Sequence, residues 1–432
     1  MAVCAALRKV KCVPALLIAA PSLMAAPPEW PEFRGPNAQG IVEATSAPTS
    51  WSEHENVLWK TPLPGLGWSS PVVRGDHVWM TSAVTSGQPK PGENGTQSVD
   101  SVKLCALCVS RSTGRLVREL ELFNVQSPEA VHSLNGYASP TPCLDEQHVY
   151  CWFGRNGTAC LQADTGEVLW RKTIVIDHYV GAGSSPVLAG GLLILTCDGA
   201  DKQFIVALDP ATGDEAWRCD RPPMRSPNPD FQKSFCTPLV VNYQGQELLI
   251  IPGAQWINAY DPATGQELWR MDHGRGFSLV SRPVSDGESV YFCTGFMSDE
   301  VQAIRLGGQG VLDDSYLRWR HKRQAPNQPS PVVHDGRLVL VNDRGIVQCL
   351  DTASGDLLWR LRAPGNYSAS VMLVNDLYYF FNREGVTSVV SRDGELLHEN
   401  ELNGAQMATP AIVDDTWLLR TDTHLYAIGR PS

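Results

Sequence analysis

The side chains that could do chemistry are spread thinly along this chain. Ten histidines occur, and no two stand at metal-ligand spacing. There is no Gly-x-Ser-x-Gly elbow, no His-Glu-x-x-His zinc helix, no phosphate loop and no dinucleotide fingerprint. Gly183-Ser184-Ser185-Pro186 lacks the elbow's second glycine. Cys105-Ala-Leu-Cys108 is a lone pair of thiols inside an alternating run from Val102 to Val109. It reads as two strand residues rather than a zinc or redox site, because a free cysteine packs as a small hydrophobe. What remains is a set of polar and aromatic loop residues: Tyr137, Arg155, Arg282, Asp343, Arg344, Tyr367 and Arg383. His132, His178, Tyr179, Asp198, Asp201 and Asn327 fall in the same loops. They are candidates for binding a ligand. No catalytic set can be named among them, and no metal site is expected.

The elements that would position these loops come from an internal repeat. A Ser or Thr, a Pro and small apolar residues recur at Ser70-Pro71, Ser139-Pro140, Ser185-Pro186 and Thr237-Pro238. The phrase returns as Arg282-Pro283, Ser330-Pro331, Ser370-Val371 and Thr409-Pro410, which makes eight units. A second phrase follows in register, as in Asp209-Pro-Ala-Thr-Gly213-Asp-Glu-Ala-Trp217, Asp261…Gly265…Trp269 and Asp351…Gly355…Trp359. Asp can accept hydrogen bonds from backbone N–H groups two or three residues on, and Gly takes the left-handed conformation that closes a tight hairpin. Each unit reads as four strands. In the third they are Pro186–Leu188, Leu192–Cys197, Phe204–Asp209 and Glu215–Cys219. Four strands recurring every 40 to 50 residues predict an all-β chain, an eight-bladed β-propeller of four-stranded antiparallel blades.

The last unit offers Ala411–Val413, Trp417–Arg420 and Leu425–Ile428 but no fourth strand. Val57-Leu58-Trp59 near the N-terminus matches Val168-Leu169-Trp170 and has no unit of its own. The N-terminal strand is therefore expected to complete the last blade and close the ring, removing an exposed sheet edge. Trp59, Trp170, Trp217, Trp269, Trp319 and Trp359 would wedge between neighbouring blades, with Arg118 and His398 in that register in the first and seventh units. The polar stretch Ser86 to Ser101 reads as an inserted flexible loop, and the Pro-rich loop Arg221 to Ser234 as a surface feature able to touch a partner. Arg282 replaces the repeat's Ser or Thr just before a channel strand. A charge there needs a partner or an anionic ligand unless the channel is wet enough to solvate it.

The 432 residues carry 35 Lys+Arg and 46 Asp+Glu, a net charge of −11. That balance argues against nucleic acid as a partner. Arg8, Lys9 and Lys11 precede an apolar run, Val13 to Ala20, and then Ala25-Ala26, the order of a secretory signal. The run is too short to span a membrane. Expected boundaries are 1–26 for the signal, 27–56 for a lead segment lying across one face of the ring, and 57–432 for the propeller. An exported chain, periplasmic or extracellular, with a monomeric propeller follows. Ten cysteines remain beyond the signal, and their pairing is open.

The phrase Asp-x-x-x-Gly-x-x-x-Trp resembles the tryptophan-docking motif of the pyrroloquinoline-quinone-like (PQQ-like) propellers, over about Val57 to Ile428. Trp30-Pro-Glu-Phe-Arg-Gly-Pro36 is similar to a segment that precedes such propellers in exported bacterial proteins. That superfamily holds quinoprotein alcohol dehydrogenases and non-catalytic relatives. The catalytic members imply adjacent cysteines beside the quinone and a Glu, Asn and Asp set for Ca²⁺. Here no two cysteines adjoin, and no matching local pattern appears. No cofactor is therefore expected. The expectation is an exported, non-catalytic module binding a protein, peptide or carbohydrate on one face. The alternatives are a PQQ- and calcium-dependent dehydrogenase and a polysaccharide-active enzyme.

Overall fold

The computed structural model describes Met1, residues 29–44 and residues 46–430. The signal-peptide reading lies outside the described residues. Eight antiparallel sheets, each with a four-stranded core, succeed one another along the chain as the blades of a β-propeller. In blade 3 the strands are Val187–Ala189, Leu192–Asp198, Gln203–Leu208 and Glu215–Asp220, within a residue of the expected bounds. Blade 8 comprises Ala411–Val413, Thr416–Arg420 and His424–Ile428, and its fourth strand is Val57–Pro62, antiparallel to His424–Ile428.

The turn chemistry follows the sequence phrase. Asp209 Oδ1 accepts from the amides of Ala211 and Thr212 at 2.8 and 3.1 Å, and Gly213 sits at φ 71°. The hairpin closes, and Trp217 then projects onto the next blade. Its indole N–H donates to Pro262 O at 3.0 Å, and its ring lies flat against Gly265. Trp170 on Pro210, Trp319 on Thr352, Trp359 on Arg392 and Trp59 on Arg111 repeat this bond at 2.9 Å. Because Trp59 belongs to blade 8 and Arg111 to blade 1, the last junction uses the same device as the others. The hydrophobic core lies between blades: one buried cluster joins blades 1 and 2, and another joins blades 4 and 5.

Three junctions depart from the pattern. Arg118 takes the tryptophan's place in blade 1, and its guanidinium donates to Thr165 O at 3.0 Å and to Asp164 O. Trp269 is buried beside an added strand, Gly310–Leu312, which pairs in parallel with it and was not foreseen. His398 of blade 7 is exposed. There the lead segment supplies Trp51, stacked on Tyr379 at 6.3 Å and tilted against Trp417 at 5.8 Å.

Two expectations about loops need correction. Ser86 to Ser101 is not an open flexible loop. The neighbouring strands of blade 1 extend to His77–Ser86 and Ser101–Ser110, and Lys90–Pro91, Thr96–Ser98 and Val131–His132 form a small sheet of their own. The second unit's repeat phrase is Thr141-Pro142, not Ser139-Pro140, because the Thr141 amide is the one bonded to Ser185 Oγ, at 3.0 Å.

Candidate functional site

Around the axis, the repeat's hydroxyls bind blade to blade. The amide of Ser70 donates to Thr141 Oγ1, Thr141 to Ser185, and Ser185 to Thr237, at 2.9 to 3.0 Å. On the other side Arg282 donates to Ser330 Oγ, Ser330 to Ser370, and Ser370 to Thr409, at 2.9 to 3.2 Å. Proline follows each of these residues except Ser370, which precedes Val371, and it costs nothing there because a channel strand is a sheet edge. Where blade 8 meets blade 1, Arg420 reaches across instead, donating to Ser69 O at 2.9 Å and Ser69 Oγ at 2.6 Å. Burial without a carboxylate lowers its pKa to about 9.

Arg282 interrupts the hydroxyl series, and its partner lies in the lead segment. Its guanidinium is fully buried and donates to Pro238 O at 2.9 Å, Phe33 O at 2.5 Å and Glu32 Oε2 at 2.8 Å. The lead segment thus threads the axis rather than lying across a face. Glu29–Trp30 pairs antiparallel with Val73–Arg74 of blade 1, and Ile41–Val42 pairs in parallel with Leu373–Val374 of blade 7. Between them Pro31 O accepts from the Leu144 amide of blade 2 at 2.8 Å, and Gln39 Oε1 from Ser285 of blade 5 at 3.4 Å. Arg34, 1% exposed, donates to Pro331 O and Val371 O of blades 6 and 7 at 2.6 and 3.2 Å. Desolvation first, then the neighbouring Arg282, pulls its pKa down to about 9. The segment is a plug at one end of the channel.

At the other end, the mouth, the remaining six candidates fall into two sectors. Tyr137 and Arg155 meet around Glu129, a residue the sequence did not single out. Tyr137 Oη donates to Glu129 O at 2.9 Å, and Arg155 lies 3.3 Å from the Glu129 carboxylate. Burial pushes the Glu129 carboxyl up to about 7 against the pull of Arg155. Beside them His178 is buried, and burial lowers its pKa to about 4.

Asp343, Tyr367 and Arg383 form the second sector. Asp343 Oδ2 accepts from the Asn327 amide at 2.7 Å, and Arg383 donates to Ser368 Oγ at 2.7 Å and Tyr367 O at 3.1 Å. Tyr367 is wholly buried, so it serves packing rather than the surface. Arg344 caps a turn through its amide to Asn342 Oδ1 at 3.0 Å, with its side chain exposed. The candidates therefore do not converge on one site.

An exposed aromatic cluster lies on the same mouth. Phe277 and Phe296 form an antiparallel bridge, with ring centroids 5.8 Å apart. Phe231, from the Pro-rich loop, packs on Phe277 at 4.6 Å. Phe231 is 41% exposed, Phe296 54% and Met297 74%. The loop is anchored by a buried ion pair, Arg221 to Asp198 at 2.7 Å, with Arg221 also donating to Asn258 Oδ1 at 3.0 Å. Lys233 then sits over the Tyr179 ring at 4.4 Å. No group of three or more His, Cys, Asp or Glu among the described residues could hold a metal ion. Cys105 and Cys108 point to opposite faces of their strand, into different core clusters, and burial raises them to about 11 and about 12.

Comparison with known proteins bears on the fold. BamB from Moraxella catarrhalis superposes with a TM-score of 0.54 at 12% identity, covering 81% of this chain and 99% of that one. The quinohemoprotein alcohol dehydrogenase of Comamonas testosteroni gives 0.62 at 11% identity, covering 94% and 81%. The quinohemoprotein alcohol dehydrogenase ADHIIG of Pseudomonas putida HK5 gives 0.59 at 12%, covering 94% and 76%. No curated protein matches in sequence. A family match covers residues 106–251 and 253–428, most of the blades described above. By that match the chain belongs to the PQQ-like repeat family described as outer membrane protein assembly factor BamB.

Proposed function

We propose that this protein is an exported, non-catalytic propeller that holds a protein or peptide partner on its mouth face. The observation that carries the reading is the exposed Phe231–Phe277–Phe296 cluster with Met297 beside it. A contiguous apolar patch on a polar rim is what a docking surface needs, and buried aromatics dominate binding energy once covered. The rings are tilted and edge-on, at 41° and 79°, so they form clefts for side chains rather than one flat platform for a sugar. The family match to an assembly factor supports the same reading.

A quinone-dependent dehydrogenase is the second reading, favoured by the fold likeness to two quinohemoproteins. Among the described residues no three carboxylate, His or Cys side chains converge to hold its calcium without an amide oxygen. No step is derived through the quinone.

The test is a paired experiment. Phe231→Ser/Phe296→Ser should keep its melting temperature and lose the partner that the native protein retains after cross-linking in the exported fraction. Equal retention would remove the mouth face from the argument. Stoichiometric binding of PQQ with Ca²⁺, read by absorbance and calorimetry, would move the function to the dehydrogenase.

A further inference from the structure

The plug shows twice what the innermost strands of these blades can do. Trp30 adds to blade 1 opposite Val73, and Ile41 adds to blade 7 opposite Leu373. The second residue of the channel strand is the one that turns its amide to the axis. In blade 7 Leu373 N–H donates to Gly40 O at 2.9 Å, in blade 2 Leu144 to Pro31 O at 2.8 Å, and in blade 5 Ser285 to Gln39 Oε1. The register of each first hairpin places Leu188 of blade 3 and Val240 of blade 4 at that same position. There no described residue of the plug pairs. Instead a pocket of about 390 Å³ opens between plug and blades, lined by Leu188, Val240, Val241 and Asn242, with Glu32 and Gln39 opposite. Blade 4 is also the blade with the longest channel strand, Leu239–Tyr243.

We propose that this pocket at the plug end of the channel receives an extended peptide segment, a few residues long, as an added strand on the inner edge of blade 4. The peptide's carbonyls accept from the axis-facing amides of Val240 and Asn242, two apart as strand pairing requires. Its side chains alternate between an apolar wall, Leu188 and Val241, and a polar one, Gln39 and Asn37. Glu32 is neutralised by Arg282 at 2.8 Å, so an uncharged Thr/Val-type segment suits the pocket better than a charged one. The site lies at the opposite end of the channel from the aromatic cluster and does not depend on it.

The probe is a dye-labelled, end-blocked Thr-Val-Thr-Val-Thr peptide, followed by fluorescence anisotropy with the full-length protein. Val240→Pro removes the axis-facing N–H, a change that a sheet edge tolerates, and also alters a side chain packed against the core between blades 3 and 4. It should weaken binding by about tenfold, the value of one well-made hydrogen bond plus its lost neighbour. Asn242→Trp, at an exposed position, should block the pocket at the cost of one turn hydrogen bond, the Gly245 amide to Asn242 Oδ1 at 3.1 Å, and a melting curve checks that the blade survives it. A peptide N-methylated at alternate residues keeps its side chains and should not bind. Phe231→Ser/Phe296→Ser should bind the peptide normally, so failure here is separable from failure of the mouth-face reading. No saturable binding at millimolar peptide, equal binding of the N-methylated peptide, indifference to both pocket variants, or displacement by maltohexaose would each overturn the proposal.

Discussion

Glu129 carries a carboxyl whose pKa is pushed up to about 7, and the main cause is burial rather than a like charge at contact. Its raised pKa makes a signed prediction. Protonated Glu129 contributes its full stability below about 4.5, and that contribution is lost as pH rises through about 7. Glu129→Gln, which cannot ionise, should therefore gain on the native protein as pH rises through that window and hold the gain above it. The gain should be on the order of 2–3 kcal/mol at most. Chemical denaturation at a series of pH values reads it; a difference that is flat with pH would place the carboxyl in water. His178 moves oppositely. Its stability is present above 6.5 and lost as pH falls through about 4, but it is common to both proteins and cancels. Arg155 was legible in the sequence as a loop charge and Glu129 was not, because desolvation is set by the loops that cover a residue. Arg282 was legible for a different reason, as a charge that breaks the repeat. Its partner, 250 residues away, was not.

At the scale of the element, the phrase that runs from Asp through Gly to Trp was readable because all of its physics is local until the last residue. The Asp turn and the left-handed Gly need only their neighbours. The Trp needs the Gly of the following blade, a contact that Trp59, Trp170, Trp217, Trp319 and Trp359 make; the repeat predicted that these rings wedge between blades, not which residue they rest on. Gly355 tests the joint. It stands at φ 76°, and a Cβ there would lie 2.6 Å from Trp319 Cδ2. Gly355→Ala should therefore cost more than the loss of chain entropy returns, about 1–3 kcal/mol net. The Trp319 fluorescence should shift as the ring is lifted off its seat. An unchanged denaturation midpoint would mean that the ring does not bear on the glycine. Where the reading slipped by two residues, at Ser139-Pro140-Thr141-Pro142, both dipeptides carry the same local signal. Only the hydroxyl of Ser185 in the next blade decides between them.

The lead segment belongs to the scale of the whole molecule, since it touches nearly every blade. The strand that follows it, Val57–Pro62, was legible as the missing quarter of blade 8; the segment's own path into the channel was not, because no local pattern says that a short polar-aromatic segment will enter a channel. Arg34 and Glu32 are what hold it there, through carbonyls of blades 6 and 7 and through Arg282. Two truncations separate the plug from the strand. Removing residues up to Asn56 takes away Trp30, Arg34 and the Trp51 wedge but leaves the Trp59 joint and the Val57–Pro62 pairing. Water can then enter the channel and solvate Arg282, so the loss should fall below the roughly 3–5 kcal/mol of a buried pair broken in place. This variant should keep the native protein's oligomeric state and unfold in one step at lower denaturant. Removing residues up to Pro62 also bares the His424–Ile428 edge, which is then free to pair with a second copy. That variant should associate or precipitate, as read by light scattering. If both truncations behaved alike, the added strand would contribute nothing that the plug does not. If the shorter one left the midpoint unmoved, the axial hydrogen bonds would be incidental to holding the blades together.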